Sequence, residues 1–113
     1  MERPAGFNQE FDREALVAGI EQANLNIARI QSVLNIQNQA LQGYQQQLVL
    51  LRRTGTNAKR CEQLNSEIQH ANKAVMEFHR AIRKETQRQA EYQTFVAYID
   101  WQRQSGNVHV RPG

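Results

Sequence analysis

Glu67 and His70 stand three residues apart, the Glu-x-x-His spacing with which helical bundles hold pairs of metal ions. Such sites need further carboxylates aimed inward from neighbouring helices. Residues 22–61 contain no Asp or Glu, and Glu67 and His70 fall on flanking positions of their helix, so no metal site is expected. His70 and His79 lie nearly opposite each other around a helix and cannot chelate together, and His109 stands alone near the end of the chain. No Gly-rich phosphate loop, nucleophile elbow or paired-cysteine motif is present. Cys61 is the single cysteine. It reads as a small apolar residue of a reducing compartment rather than a reactive thiol. Acid–base catalysis needs paired groups within reach, and the sequence offers none. The chain therefore reads as a non-enzyme, with no catalytic residues, no cofactor and no metal.

The basic residues are better organised. Residues 1–21 carry five acids (Glu2, Glu10, Asp12, Glu14, Glu21) against two bases (Arg3, Arg13). Residues 22–61 carry Arg29, Arg52, Arg53, Lys59 and Arg60 and no acid. Further on, Arg80, Lys84 and Arg88 recur every fourth residue, one stripe of a helix, with Arg83 and Glu85 beside them. A basic cluster followed by a basic stripe suits phosphate contact. No aromatic residue is interleaved to stack on bases, and Arg52 and Arg53 also complement the negative end of a helix dipole. Nucleic-acid or nucleotide binding through Arg52, Arg53, Lys59, Arg60, Arg80, Lys84 and Arg88 is thus the alternative reading, not the leading one. The net charge of +3 and the isoelectric point of about 9.4 favour an acidic partner only weakly.

The elements that carry these residues are legible from periodicity. The two prolines, Pro4 and Pro112, lie at the ends, so no interior segment is barred from helix. Leu16, Ile20, Ala23, Ile27, Ile30, Leu34, Leu41, Tyr44, Leu48 and Leu51 keep a heptad rhythm broken only at Gln37. This predicts a helix over about 9–53, capped by Asn8 or alternatively Asp12. Cys61, Leu64, Ile68, Ala71, Val75, Phe78, Ile82, Glu85, Gln89, Tyr92, Val96 and Ile99 continue the rhythm without a slip. They predict a second helix over about 57–104, capped by Thr56 or Asn57 and ended by Ser105-Gly106. Gly55 lies at the tip, residues 54–57. Folding there sets Leu48 near Leu64, Leu41 near Ala71, Leu34 near Phe78 and Ile20 near Tyr92, so large residues face small ones. Glu85 and Gln89 form a polar interruption of the seam, read as a register-fixing layer, with Arg29, Arg83 or Arg88 as partners for Glu85.

The expected fold is all-α: two long helices in an antiparallel coiled-coil hairpin. Residues 1–7 form one tail and residues 105–113 another, with Val108-His109-Val110 as a short extended segment. The Trp-x-Gly turn of the secreted helical hairpins is missing, the tip here being Arg53-Thr54-Gly55. The first helix has flanks of Asn and Gln, with Arg29 its one charge between Gln22 and Leu51. Neutral amides cost less to desolvate than charges, and Leu25, Ile36, Val49 and Leu50 occupy outer positions. A second buried face follows, through Leu25, Ile36, Leu50, Met76, Tyr98 and Trp101. Gly19 and Gly43 allow either a close approach or a bend. Phe7, Phe11, Tyr92, Phe95, Tyr98 and Trp101 gather at the open end as a plug, with Tyr98 and Trp101 pointing outward.

Two helices alone bury little surface, so association is expected, first as a homodimer forming a four-helix bundle and second with another helical protein. The leading functional reading is a non-catalytic scaffold, adaptor or small regulatory subunit. No signal sequence or membrane span is expected from the apolar pattern. That implies a soluble intracellular protein, cytoplasmic or nuclear, or in the host cytoplasm if viral.

Overall fold

The computed structural model describes residues 1–55 and 57–110, and side chains as far as Ser105. It is an all-α hairpin of two helices, α1 (Arg13–Thr54) and α2 (Ala58–Val110). The strand-free, two-helix architecture matches the one the heptads predict. The helix limits differ by more than one residue at two places. Helix α1 starts at Arg13, because Asp12 is the cap: its side-chain Oδ1 accepts from the Glu14 amide at 3.2 Å and its carbonyl from the Leu16 amide at 3.0 Å. Asn8 instead closes a turn ahead of the helix. Helix α2 runs through Ser105-Gly106 to Val110, so Val108-His109-Val110 are helical rather than extended. Gly is a weak stop without a left-handed φ, and none is adopted at Gly106. Residues 111–113 and Thr56 lie outside the described residues.

The turn works by two left-handed residues. Gly55, at φ 64°, follows the last residue of α1, and Asn57, at φ 62°, precedes the first of α2. Asn tolerates this region because its short amide bonds locally. Here Asn57 Oδ1 accepts from the Arg60 amide at 3.1 Å, and the Asn57 carbonyl accepts from the Cys61 amide at 3.2 Å. Arg52 and Arg53 occupy the last turn of α1, where the dipole favours cations.

The chain divides into two compact units, each receiving a part of both helices. The tip unit, Ala28–Arg83, is a narrow two-helix seam. Its buried apolar residues are Leu34, Leu48, Leu64 and Ala71. Leu64 has no exposed surface, and each is a heptad position read from the sequence.

The second unit, Met1–Ile27 with the chain from Lys84 onward, has an aromatic core. Two turns deliver it. The Phe7 amide bonds to the Pro4 carbonyl at 3.1 Å, with Gly6 at φ 80° in the position that a type II turn reserves for glycine. The Phe11 amide then bonds to the Asn8 carbonyl at 3.0 Å, while Asn8 Oδ1 accepts from the Glu10 amide at 2.9 Å. Phe7 thereby enters a cluster with Leu16, Phe95, Tyr98 and Ile99, against which Tyr92 and Val96 pack. Its ring meets Tyr98 edge-on at 4.8 Å and Phe11 at 5.8 Å. Arg3 holds the segment in place, donating to the Phe7 carbonyl at 2.9 Å.

Tyr98 is the main correction at this end. It is buried, 8% exposed, and not outward-facing. Its heptad position does point away from α1, but residues 1–12 fold over that side and cover it. Trp101 stacks on Tyr98 at 5.7 Å and remains half open.

Pairs across this unit fix the register. Arg13 grips Asp100 with two bonds, 2.7 and 3.2 Å. A methyl group on Gly19 would come within 2.5 Å of the Tyr92 ring, so this glycine permits close approach. Asn26 donates to Glu85 at 3.4 Å, and Gln89 donates to Asn24. The polar interruption is therefore a bonded layer. Of the three candidate arginines, Arg88 pairs with Glu85, at 3.6 Å. Each pair agrees within a residue with the register predicted by folding the chain at its tip.

Candidate protein-interaction surface

In the tip unit, the outer face of α1 is a row set by heptad spacing. Ile36, Gly43 and Leu50 occupy the same position in successive heptads, which nearly superimposes them along a helix. Ile36 is 65% exposed and Leu50 60%. Val33 and Val49 flank them, also exposed. Solvent-facing side chains on the intervening turns are amides: Asn35, Gln39, Gln42 and Gln46. Gln42, Gln45, Gln46, Val49 and Leu50 line a shallow groove on the Val49 side of this helix, and Gln47, Leu50, Leu51 and Arg60 line another on its other side. At the level of the first, Gly43 leaves a notch, since a methyl group there would meet nothing within 4 Å. Scattered exposed apolar residues are ordinary on a protein surface. A row of them on a face without charges is less so.

The remaining predicted interface residues do not all join this row. Met76 is 64% exposed on α2. Its heptad position lies toward the opposite flank of the seam from Ile36 and Leu50. Leu25, 54% exposed, and Trp101, 38% exposed, belong to the aromatic unit, as does the buried Tyr98. The structure thus aligns Ile36 and Leu50 with Val33 beside them, whereas Val49, which like Met76 directly follows a seam residue, turns toward the other flank. Val33 was missed as a surface residue because its position next to the seam reads as ordinary flank. The notch at Gly43 was legible in part, from its heptad alignment with Ile36 and Leu50.

The basic residues sit as follows. Arg52, Arg53 and Lys59 are exposed at the turn, and Arg60 is half-buried. Arg60 lies along the seam, with bonds to Gln47 at 3.3 Å and Gln63 at 3.5 Å. Among the described residues no acid pairs with any of these four. Arg80 belongs to the tip unit, and Lys84 and Arg88 to the aromatic unit. All three are exposed.

The hydrogen bond from Arg13 holds the Asp100 carboxyl below its ordinary value, helped by the charges of Arg13 and Arg103 and opposed by desolvation. Asp100 raises Arg13 in return, first through the same hydrogen bond. Glu67 and His70 line a shallow groove with Gln37, Tyr44 and Ala71. Among the described residues no group of three or more His, Cys, Asp or Glu converges as metal ligands would. Among them, too, no helix is long and apolar enough to cross a membrane.

Compared with known proteins, the chain matches no family model, no curated protein and no solved structure.

Proposed function

We propose that the protein is a non-catalytic interaction module, a scaffold, adaptor or small regulatory subunit that works by presenting helical surface to another helical protein or to itself. The observation that supports this reading most is the charge-free row of Ile36, Gly43 and Leu50 on α1, with Val33 and Val49 exposed beside it. An apolar stripe at heptad spacing is what an amphipathic helix needs in a partner groove or bundle. Burying one Leu or Ile side chain gains about 1.5–3 kcal/mol, so the row can drive association. The lone Cys61, half-buried in the seam, suits a reducing intracellular setting.

The test compares wild type with a double variant, Ile36→Glu with Leu50→Glu, in capture of proteins from the native host and in solution mass. Both residues are exposed, so the hairpin should keep its helicity by circular dichroism. Loss of bound protein, of self-association or of both is expected. Unchanged capture and unchanged mass would remove this face from the function.

The bases at the turn, which have no acidic partner among the described residues, favour one second reading, contact with nucleic-acid phosphates through Arg52, Arg53, Lys59 and Arg60, extended by Arg80, Lys84 and Arg88. Titration with DNA or RNA at two salt concentrations tests it. Affinity should fall steeply with salt and disappear when the four turn residues are neutralised. Absence of binding at low salt rejects it.

A further inference from the structure

The exposed row has an internal symmetry. Ile36 and Leu50 each stand seven residues from Gly43, one on either side. Two copies of α1 crossing antiparallel at Gly43 would therefore set Ile36 of each against Leu50 of the other. Gly43 would meet Gly43, with no side chain between the backbones. A two-fold contact uses the same patch twice, so residues near the axis approach their own copies.

That requirement penalises charge and tolerates amides. A Lys or Glu near the axis meets its own charge, whereas Gln and Asn donate and accept in equal measure and pair with themselves. From Ile30 to Leu51, α1 carries no charged residue at all. The amides nearest the axis are Gln39, Gln46 and Gln47, the last of which also accepts from Arg60 at 3.3 Å. A face evolved to meet some other protein would gain by carrying charges complementary to it. A face that must meet itself does not. The notch supplies the fit, because Gly43 leaves open space where any other residue would hold the helices apart.

We infer that the occupant of this face is a second copy of the chain, docked through α1 about a two-fold axis at Gly43. This rests on the interaction reading above and names its partner and register. The side chains that α1 brings to the contact between Ile30 and Leu51 are uncharged, and Arg60 of α2 borders it, lining a groove with Gln47, Leu50 and Leu51.

Cysteine pairing tests the axis. In a full-length Cys61→Ser background, Gly43→Cys should form a disulfide between copies under mild oxidation. Ile36→Cys and Leu50→Cys proteins, mixed, should cross-link to each other and not each to itself. A second variant, Gly43→Leu, should weaken the dimer at least about tenfold in sedimentation while leaving helicity unchanged, because a Cβ at this position meets nothing within 4 Å in its own chain. Self-pairing of Ile36→Cys would indicate a parallel register and overturn the inference. A dimer mass with none of these cross-links, or a single-chain mass at the highest concentration reached, would also overturn it. If the mass is that of one chain while Ile36→Glu with Leu50→Glu still abolishes capture of a host protein, the face serves a different partner: the inference fails and the interaction reading stands. If neither mass nor capture responds, both fail.

Discussion

The two glycines inside α1 have the same cost to the helix and opposite surroundings. Gly19, in the aromatic unit, has the Tyr92 ring where its side chain would be. Gly43, in the tip unit, has open space. Each forgoes about 1 kcal/mol of helix propensity relative to Ala. At Gly19 the return lies inside the chain, in a close contact that lets Tyr92 pack against the cluster of Phe7, Leu16, Phe95, Tyr98 and Ile99. At Gly43 nothing inside the chain offsets the cost. The contrast extends to the units themselves. One gathers Phe7, Leu16, Phe95, Tyr98 and Ile99 into a buried cluster while leaving Leu25 open, and the other leaves Ile36, Val49 and Leu50 open.

Substitutions at five positions press on this contrast, beginning with the largest effect. Phe7→Ala removes a ring that is 6% exposed and touches Phe11, Phe95 and Tyr98. It should cost about 2–4 kcal/mol in urea unfolding. A loss below about 1 kcal/mol would mean that the N-terminal turns only drape the cluster. The glycines come next. Gly19→Ala should destabilise by about 1–2 kcal/mol, overpacking against Tyr92 exceeding the propensity gain. Gly43→Ala should stabilise the isolated hairpin by up to ~1 kcal/mol. If thermal melts move both variants in the same direction, the contrast between the glycines is lost.

At the turn, Asn57→Ala forfeits a helix cap and places a Cβ at φ 62°. It should cost about 1–2 kcal/mol, whereas Asn57→Gly should lose only a few tenths. Equal losses would show that the cap matters and the backbone conformation does not. Asp100→Asn has the smallest effect, because its ion pair with Arg13 is solvent-exposed. Its signature is in the pH profile. Asp100 has a depressed folded pKa, so its contribution is present above the unfolded value of about 3.9 and is lost as pH falls through the lower folded value. The variant should show a flatter acid limb of stability and little change at pH 7. An unchanged acid limb would mean that the pair contributes nothing.

Much of the tip unit was legible because the heptad encodes it directly. Leu34, Leu48, Leu64 and Ala71 are buried where the period puts them. Asn57, one of the two caps that residue type offered along with Thr56, caps α2. The aromatic unit was less legible because its cover comes from outside the period. Heptad position describes the helix–helix seam only, so it assigned Tyr98 outward and had no means to fold residues 1–12 back over it. The same blindness moved the start of α1, where Asn8 and Asp12 are equally good caps by type. Only the turns at Gly6 and Asn8 decide between them. In the candidate face, Ile36 and Leu50 were readable as outer apolar residues. The separation of Met76 from them follows from the flank of the seam, not from exposure.

The uncharged stretch of α1 also governs how the protein can be handled. The chain has three lysines, Lys59, Lys73 and Lys84, and all lie on α2. Amine-directed dyes, linkers and sensor surfaces will therefore take hold of α2 or the terminal amine and leave α1 unmodified. Immobilised that way, every molecule keeps the face around Gly43 chemically intact.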